Sequence, residues 1–184
     1  MKAPLAALAT IAALATLAVA LPSAAAPAVD SPETHCASEA SQRLLAIYLR
    51  YSDDILNGRK LARLETYVAP TFRWHGAPTG MPDGIDPLRH LLTDVGNAFP
   101  DEHVKTRFAL CADDLVLVQQ ELTGTNKGPL LGHPPSGKTH RALHTEIYRV
   151  VDGHITELWG EGVIPLLMLQ SGWQLVPPAR QADP

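Results

Sequence analysis

His144, Glu146 and Tyr148 stand at alternate positions of the stretch HRALHTEIYR (140–149). In an extended strand alternate side chains share one face, so an imidazole, a carboxylate and a phenol would point the same way. A carboxylate beside an imidazole can serve as a general acid or base. A second acid, Glu161, is bracketed by Gly160 and Gly162 in HITELWGEG (154–162). If the strand continues, Glu161 faces away from position 160, unless the glycines bend the chain. Glu146 also suits a plain solvent-facing strand position, since glutamate is seldom buried unpaired.

Other chemistries find less support. His133, His140 and His144 could be imagined around a metal, and His140-x3-His144 has helix-type ligand spacing. The segment reads as a strand, however, where four residues span about 13 Å, too far for one ion to bridge. No metal site is therefore expected, the Cys and carboxylate grouping usual for zinc being absent. No G-x-S-x-G nucleophile motif or dinucleotide fingerprint occurs, and Pro135-Ser136-Gly137-Lys138 lacks the glycine spacing of a phosphate loop. With 15 basic against 19 acidic residues and no basic run, nucleic acid is not an expected partner.

The elements that would position these side chains fall into two halves. Ser31 and Pro32 suit a helix start, and Ala40, Leu44, Ile47, Tyr48, Tyr51 and Ile55 recur at three- and four-residue steps up to Gly58. A short helix KLARLETYV, a strand TFRWHG and a loop APTGMPDG follow. Asp86-Pro87 then opens a third helix carrying Leu88, Leu91, Leu92 and Val95. The period then changes: HVKTRFALC, LVLVQQELTGT, HRALHTEIYRVV and HITELW read as strands. Asp113-Asp114 and Asp152-Gly153 make turns, the latter a tight hairpin. Arg149 and Glu157 are placed to pair across that hairpin. Helices first and antiparallel strands after predict an α+β domain, its sheet curled over the helices around a small-molecule pocket.

Met1-Lys2 precedes an uncharged Ala/Leu run that ends in PSAAAPAVD. This predicts a secretory signal peptide over 1–26, cleaved after Ala24 or Ala26, with an uncleaved anchor as the rival reading. A linker over 27–32, one domain over 33–173 and a disordered tail over 174–184 complete the expected organisation. No second apolar run is long enough to span a membrane, so a secreted or periplasmic protein is expected. Export would place Cys36 and Cys111 in an oxidising compartment, where one disulfide is the expectation. Its long loop would contribute about 4 kcal/mol in the chain-entropy account. Two unrelated buried thiols are the alternative.

Several segments together carry a resemblance. FPDEHV (99–104), GTNKGPLLGHPPSGK (124–138), YRVVDGHITELW (148–159) and the end from Gln170 to Gly172 resemble the SnoaL-like polyketide cyclases, or ester cyclase family, of the nuclear-transport-factor-2-like superfamily. The resemblance covers about residues 44–172. It implies a cone-shaped α+β barrel with a buried cavity, no cofactor, a small apolar ligand and a possible homodimer. It also implies that a carboxylate moves the proton of an activated C–H, after which an enolate closes a ring. Apolar surroundings and a nearby polar group are what such a step uses.

The sequence departs from that family where its acid is usual. The family commonly places Asp just after the Trp and often another three residues later; here these positions are Gly160 and Val163, and Asn126 replaces a family His. The family often carries a polar or acidic pocket residue where Glu146 stands, and His75 matches a His it often keeps near the pocket. The expected centre is therefore Glu146, with His144 and His75 orienting it and Asn126 polarising a carbonyl. Trp74, Tyr148 and Glu161 are the further expected ligand contacts, with Trp74 and Trp159 equally suited to packing. The implied activity is that of a lyase or isomerase on a small apolar carbonyl compound. A binding protein without turnover and a hydrolase activating water are the alternatives.

Overall fold

Ser38 starts the first long helix, and the computed structural model describes the chain from residue 31 to residue 174. The expected signal segment, nearly all of the linker and the tail from 175 onward lie outside the described residues. The Ser38 hydroxyl accepts from the Ser41 amide at 3.1 Å while the Ser41 hydroxyl accepts from the Ser38 amide at 3.0 Å. This reciprocal cap satisfies two otherwise unpaired donors and opens α1, Glu39–Tyr51. The start expected at Ser31 is thus displaced by seven residues. Residues Glu33–His35 instead form β1, paired parallel with Phe108, Ala109 and Leu110. The Cys36–Cys111 disulfide holds that junction, and β1 supplies backbone partners to a sheet edge that would otherwise be open.

Beyond α1 the helix widens over Ser52–Asn57, where the Gly58 amide reaches back five residues to the Asp53 carbonyl at 2.8 Å. Gly58 is needed here for room rather than for its backbone angle. Its φ is −80°, but a Cβ would lie 2.8 Å from the carbonyl oxygens of both Asp53 and Asp54. The left-handed residue is the next one, Arg59, at φ 54°. The short helix expected after it is a tighter, three-residue-per-turn helix, Leu61–Thr66. Next come β2, Val68–His75, and α2, Ile85–Ala98.

The remaining strands are β3, His103–Ala112; β4, Leu115–Thr125; β5, Thr139–Val151; and β6, His154–Trp159. They follow the alternation expected of them to within a residue. At the Asp152-Gly153 hairpin both φ values are positive, 48° and 80°, as a primed two-residue turn requires. The sheet order is β1-β3-β4-β5-β6-β2, antiparallel through its centre and parallel at its two outer pairs. Register shifts at Thr106/Phe108, Arg149/Val150 and Val68/Arg73 bend it, and β1 and β2 remain as open edges. Pro70 is tolerated because β2 is such an edge.

The inner face of the sheet holds two apolar clusters. One joins Tyr48, Tyr51 and Ile55 to Val116, Val118 and Tyr148. The other joins Phe99, Leu122 and Ala142 to Val163, Ile164 and Leu167 of α3, Val163–Gln170. Helices on one face of a bent sheet give the α+β architecture expected. Among the described residues no helix is long and apolar enough to cross a membrane.

Candidate active site

Between the two clusters the inward rows of β4 and β5 turn polar. The register pairs Val116 with Tyr148, Val118 with Glu146, Gln120 with His144 and Leu122 with Ala142. Glu146 is 6% exposed and Gln120 2%. Burial of a carboxylate this deep requires donors, and two converge on Oε2. Gln120 Nε2 donates at 2.8 Å, and the Tyr148 hydroxyl donates in a short hydrogen bond. The other oxygen, Oε1, lies 3.3 Å from His144 Nε2. His144 Nδ1 makes no hydrogen bond within the protein.

Gly160 closes the floor beneath this carboxylate. It follows Trp159, which pairs with Ile147, so it stands opposite Glu146 across the hairpin. Its carbonyl accepts from the Trp74 indole N–H at 2.8 Å. Above the carboxylate the rings of Tyr48 and Tyr51 lie 5.0 and 6.1 Å from that of Tyr148. Burial raises all three phenols above the ordinary tyrosine range, and the negative charge of Glu146 raises them further. They are neutral O–H groups, so no second anion stands against Glu146.

The polar group opens on a hollow of about 90 Å³, walled by Leu88, Leu92, Val104, Leu122 and Leu158. Two outer hollows of about 340 and 360 Å³ adjoin it. Trp74, Val163 and Ile164 stand between the inner hollow and the first of these. The site is a largely apolar chamber with the Glu146 group concentrated at one end, able to hold a small ligand and to exchange a proton with it.

Of the residues expected at this centre, His144, Glu146, Tyr148 and Trp74 come together around it. His75 does not. Trp74 pairs with Leu158 and faces the chamber, whereas His75 pairs with Trp159 on the other face of the sheet. There its ring stacks on Trp159 at 4.6 Å and its Nε2 bonds Glu157 Oε2 at 2.6 Å. The Arg149–Glu157 pair expected across the hairpin is present on that same outer face. The hydrogen bond from His75, aided by Arg149, lowers the Glu157 pKa below the usual carboxylate range.

Asn126 is also displaced from its expected role. It is 2% exposed, but its amide donates to the Gly128 carbonyl at 2.9 Å and to the Ala98 carbonyl at 3.4 Å, and its oxygen accepts from the Ser136 amide at 2.8 Å. These bonds pin the loop between β4 and β5 and leave no group for a ligand carbonyl. Glu161 is exposed, as strand alternation past Gly160 dictates, and packs near Gly76 outside the chamber. His133 contacts Trp173, with ring centroids 3.6 Å apart. Gln120 was the residue not anticipated. Its signal is a lone amide on the apolar row Val116, Val118, Leu122.

Solved structures share this fold. A protein assigned as a polyketide cyclase from Bacillus cereus superposes with a TM-score of 0.65 at 22% identity, covering 77% of this chain and 92% of its own. One assigned as SnoaL-like from Jannaschia sp. gives 0.63 at 21%, with coverages of 72% and 94%. AclR from Streptomyces galilaeus, assigned as a hydroxylase, gives 0.61 at 21%, with coverages of 74% and 86%. At such identities the likeness is one of fold, and the fold carries more than one assigned reaction. No curated protein matches the chain. The family model of the SnoaL-like polyketide cyclases matches residues 46–162, a span running from α1 through the chamber walls to the Glu146–Gly160 floor. The chain therefore belongs to the SnoaL-like polyketide cyclase family.

Proposed function

We propose that the protein is an exported, cofactor-free acid/base catalyst of the cyclase or isomerase kind, acting on a small apolar carbonyl compound. The observation that carries this reading is the buried Glu146 carboxylate, with Oε2 anchored by Gln120 and Tyr148 and Oε1 facing His144 at the end of an apolar chamber. Oε1 takes the proton from the carbon beside the ligand carbonyl. The C–H electron pair becomes the enolate double bond, and the charge moves to the carbonyl oxygen. His144, through its unpartnered Nδ1, donates to that oxygen when protonated there. The enolate carbon then attacks a second carbonyl of the same molecule, forming one C–C bond. The proton held on Glu146 passes to the new alkoxide, so the step consumes nothing else. The Cys36–Cys111 disulfide supports export.

The test is exchange in deuterium oxide at the acetyl protons of 2-acetylnaphthalene. The wild type is expected to accelerate exchange, and Glu146→Gln to reduce it by at least about 100-fold while still binding the ketone. Undiminished exchange in Glu146→Gln removes Glu146 from the role. A second reading, ligand binding without turnover, is favoured by one observation: both Glu146 oxygens already have partners within the protein. Binding with no exchange in the wild type would establish it.

A further inference from the structure

The chamber holds a second acid that the step above does not use. We propose that Glu102 and Arg59 form a subsite for a neutral hydroxyl, alcohol or phenol, at the end of the ligand remote from the carbon that Glu146 deprotonates. This rests on the reading of the chamber as a small-molecule site and adds the shape and second polar group of its ligand.

Glu102 lies just after α2 and lines the same hollow as Glu146, with its side chain 4% exposed. Its Oε2 is 3.5 Å from an Arg59 nitrogen that also reaches the Phe99 carbonyl at 3.3 Å. Its Oε1 lies 3.5 Å from His140 Nε2 yet makes no hydrogen bond, and neither do the two ring nitrogens of the fully buried His140. A buried carboxylate oxygen without a donor is rare in a folded protein and costly unless something supplies one. Arg59 also lines the hollow, and its guanidinium has more N–H groups than these two bonds use. It adopts φ 54°, a backbone state that non-glycine residues enter at a cost and that clusters at binding sites.

The chemistry of the pair selects the ligand group. A hydroxyl donates to Glu102 Oε1 and accepts from Arg59 at once. An anion would meet Glu102, and a cation would meet Arg59. The pair is also built for close approach, as the Glu146 end is. A Cβ on Gly124 would lie 2.9 Å from His140 Cε1 and 3.1 Å from Glu102 Cα. Gly124 has an ordinary strand backbone, so the glycine is there for space.

The two acid–His pairs mark the ends of the ligand. His140 and His144 share one face of β5, four residues and about 13 Å apart. Leu122 pairs with Ala142 between them, and Val104 pairs with Leu122. The implied substrate has an apolar, ring-like body with an enolisable carbonyl at one end and a hydroxyl at the other.

Two probes differing only in that hydroxyl, 6-acetyl-2-naphthol and 2-acetylnaphthalene, test this by equilibrium binding to the full-length protein. The hydroxylated probe is expected to bind at least about tenfold more tightly. Glu102→Leu and Arg59→Met should each shrink that ratio below about threefold. Arg59 is partly exposed, so its variant keeps the test decisive if Glu102→Leu fails to fold. Equal affinity for both probes, no binding of either, or a ratio that survives Arg59→Met overturns the subsite. Glu146→Gln should reduce exchange by at least about 100-fold and leave the ratio intact, so a failure of catalysis and a failure of the subsite read out separately.

Discussion

Gly160 and Glu146 contend for one volume: a Cβ on residue 160 would lie 2.7 Å from Glu146 Cγ and 3.1 Å from its Oε1. The aspartate expected after Trp159 and the glutamate found on β5 are therefore alternatives rather than a pair. The carboxylate enters the chamber from β5, and the position opposite it, just past the end of β6, has no side chain.

Gly160→Asp alone should crowd the site and destabilise the protein by about 1–3 kcal/mol. Combined with Glu146→Ala, which vacates the volume, it should cost less than the two single changes summed, by at least about 1 kcal/mol. Urea unfolding of the four proteins measures this coupling. Strict additivity would show that the two side chains do not compete.

His75 faces away from the chamber, so His75→Phe should leave deuterium exchange within about twofold of wild type. Its contribution is to stability through Glu157, whose pKa is lowered in the folded state chiefly by the His75 hydrogen bond. A lowered carboxylate pKa stabilises above the unfolded value of 4.5 and loses that contribution as pH falls through the folded value. The stability gap between wild type and His75→Phe should accordingly be present at pH 6 and narrow below pH 4.5. A gap independent of pH would dissociate His75 from Glu157.

Tyr48, Tyr51 and Tyr148 all have pKa values raised by burial above the ordinary 10.0. Above pH 10.0 the unfolded chain releases these protons while the folded chain keeps them. Stability must then fall with rising pH, each phenol contributing at most about 1.4 kcal/mol per pH unit. Tyr51→Phe should make the decline between pH 9 and pH 11 shallower in denaturant titrations. An unchanged slope would place the Tyr51 hydroxyl in water.

The Cys36–Cys111 bond closes a sequence separation of 75 residues and holds β1 against β3. Replacing both cysteines with serine should cost about 4 kcal/mol by unfolding measurement. Exchange at the acetyl probe should persist at temperatures where the variant stays folded, since the bond lies outside the chamber. Loss of exchange in a folded variant would tie the bond to the site.

Much of the fold was legible because local periodicity reports on burial. The two-residue alternation through Val116, Val118, Gln120 and Leu122 marks the inner face of β4, and the same count along β5 puts His144, Glu146 and Tyr148 inward together. The alternation Phe72, Trp74 could likewise have placed His75 outside, on the face of Arg73. The helix start was misread because Ser31 and Ser38 both offer a hydroxyl, and only the pairing of β1 with β3 removes the first from contention.

By itself the sequence determined strands β3 to β6, their alternation and the tight Asp152-Gly153 turn, because each depends on neighbours a few residues away; it left Glu146 open between pocket and solvent, and the two cysteines open between one disulfide and separate thiols. The tertiary structure decided the rest. It turned Asn126 into a loop anchor, set Gly160 under Glu146, and brought Arg59 and His140 from distant segments against Glu102. Those meetings follow from register and packing across the sheet, which no local period encodes.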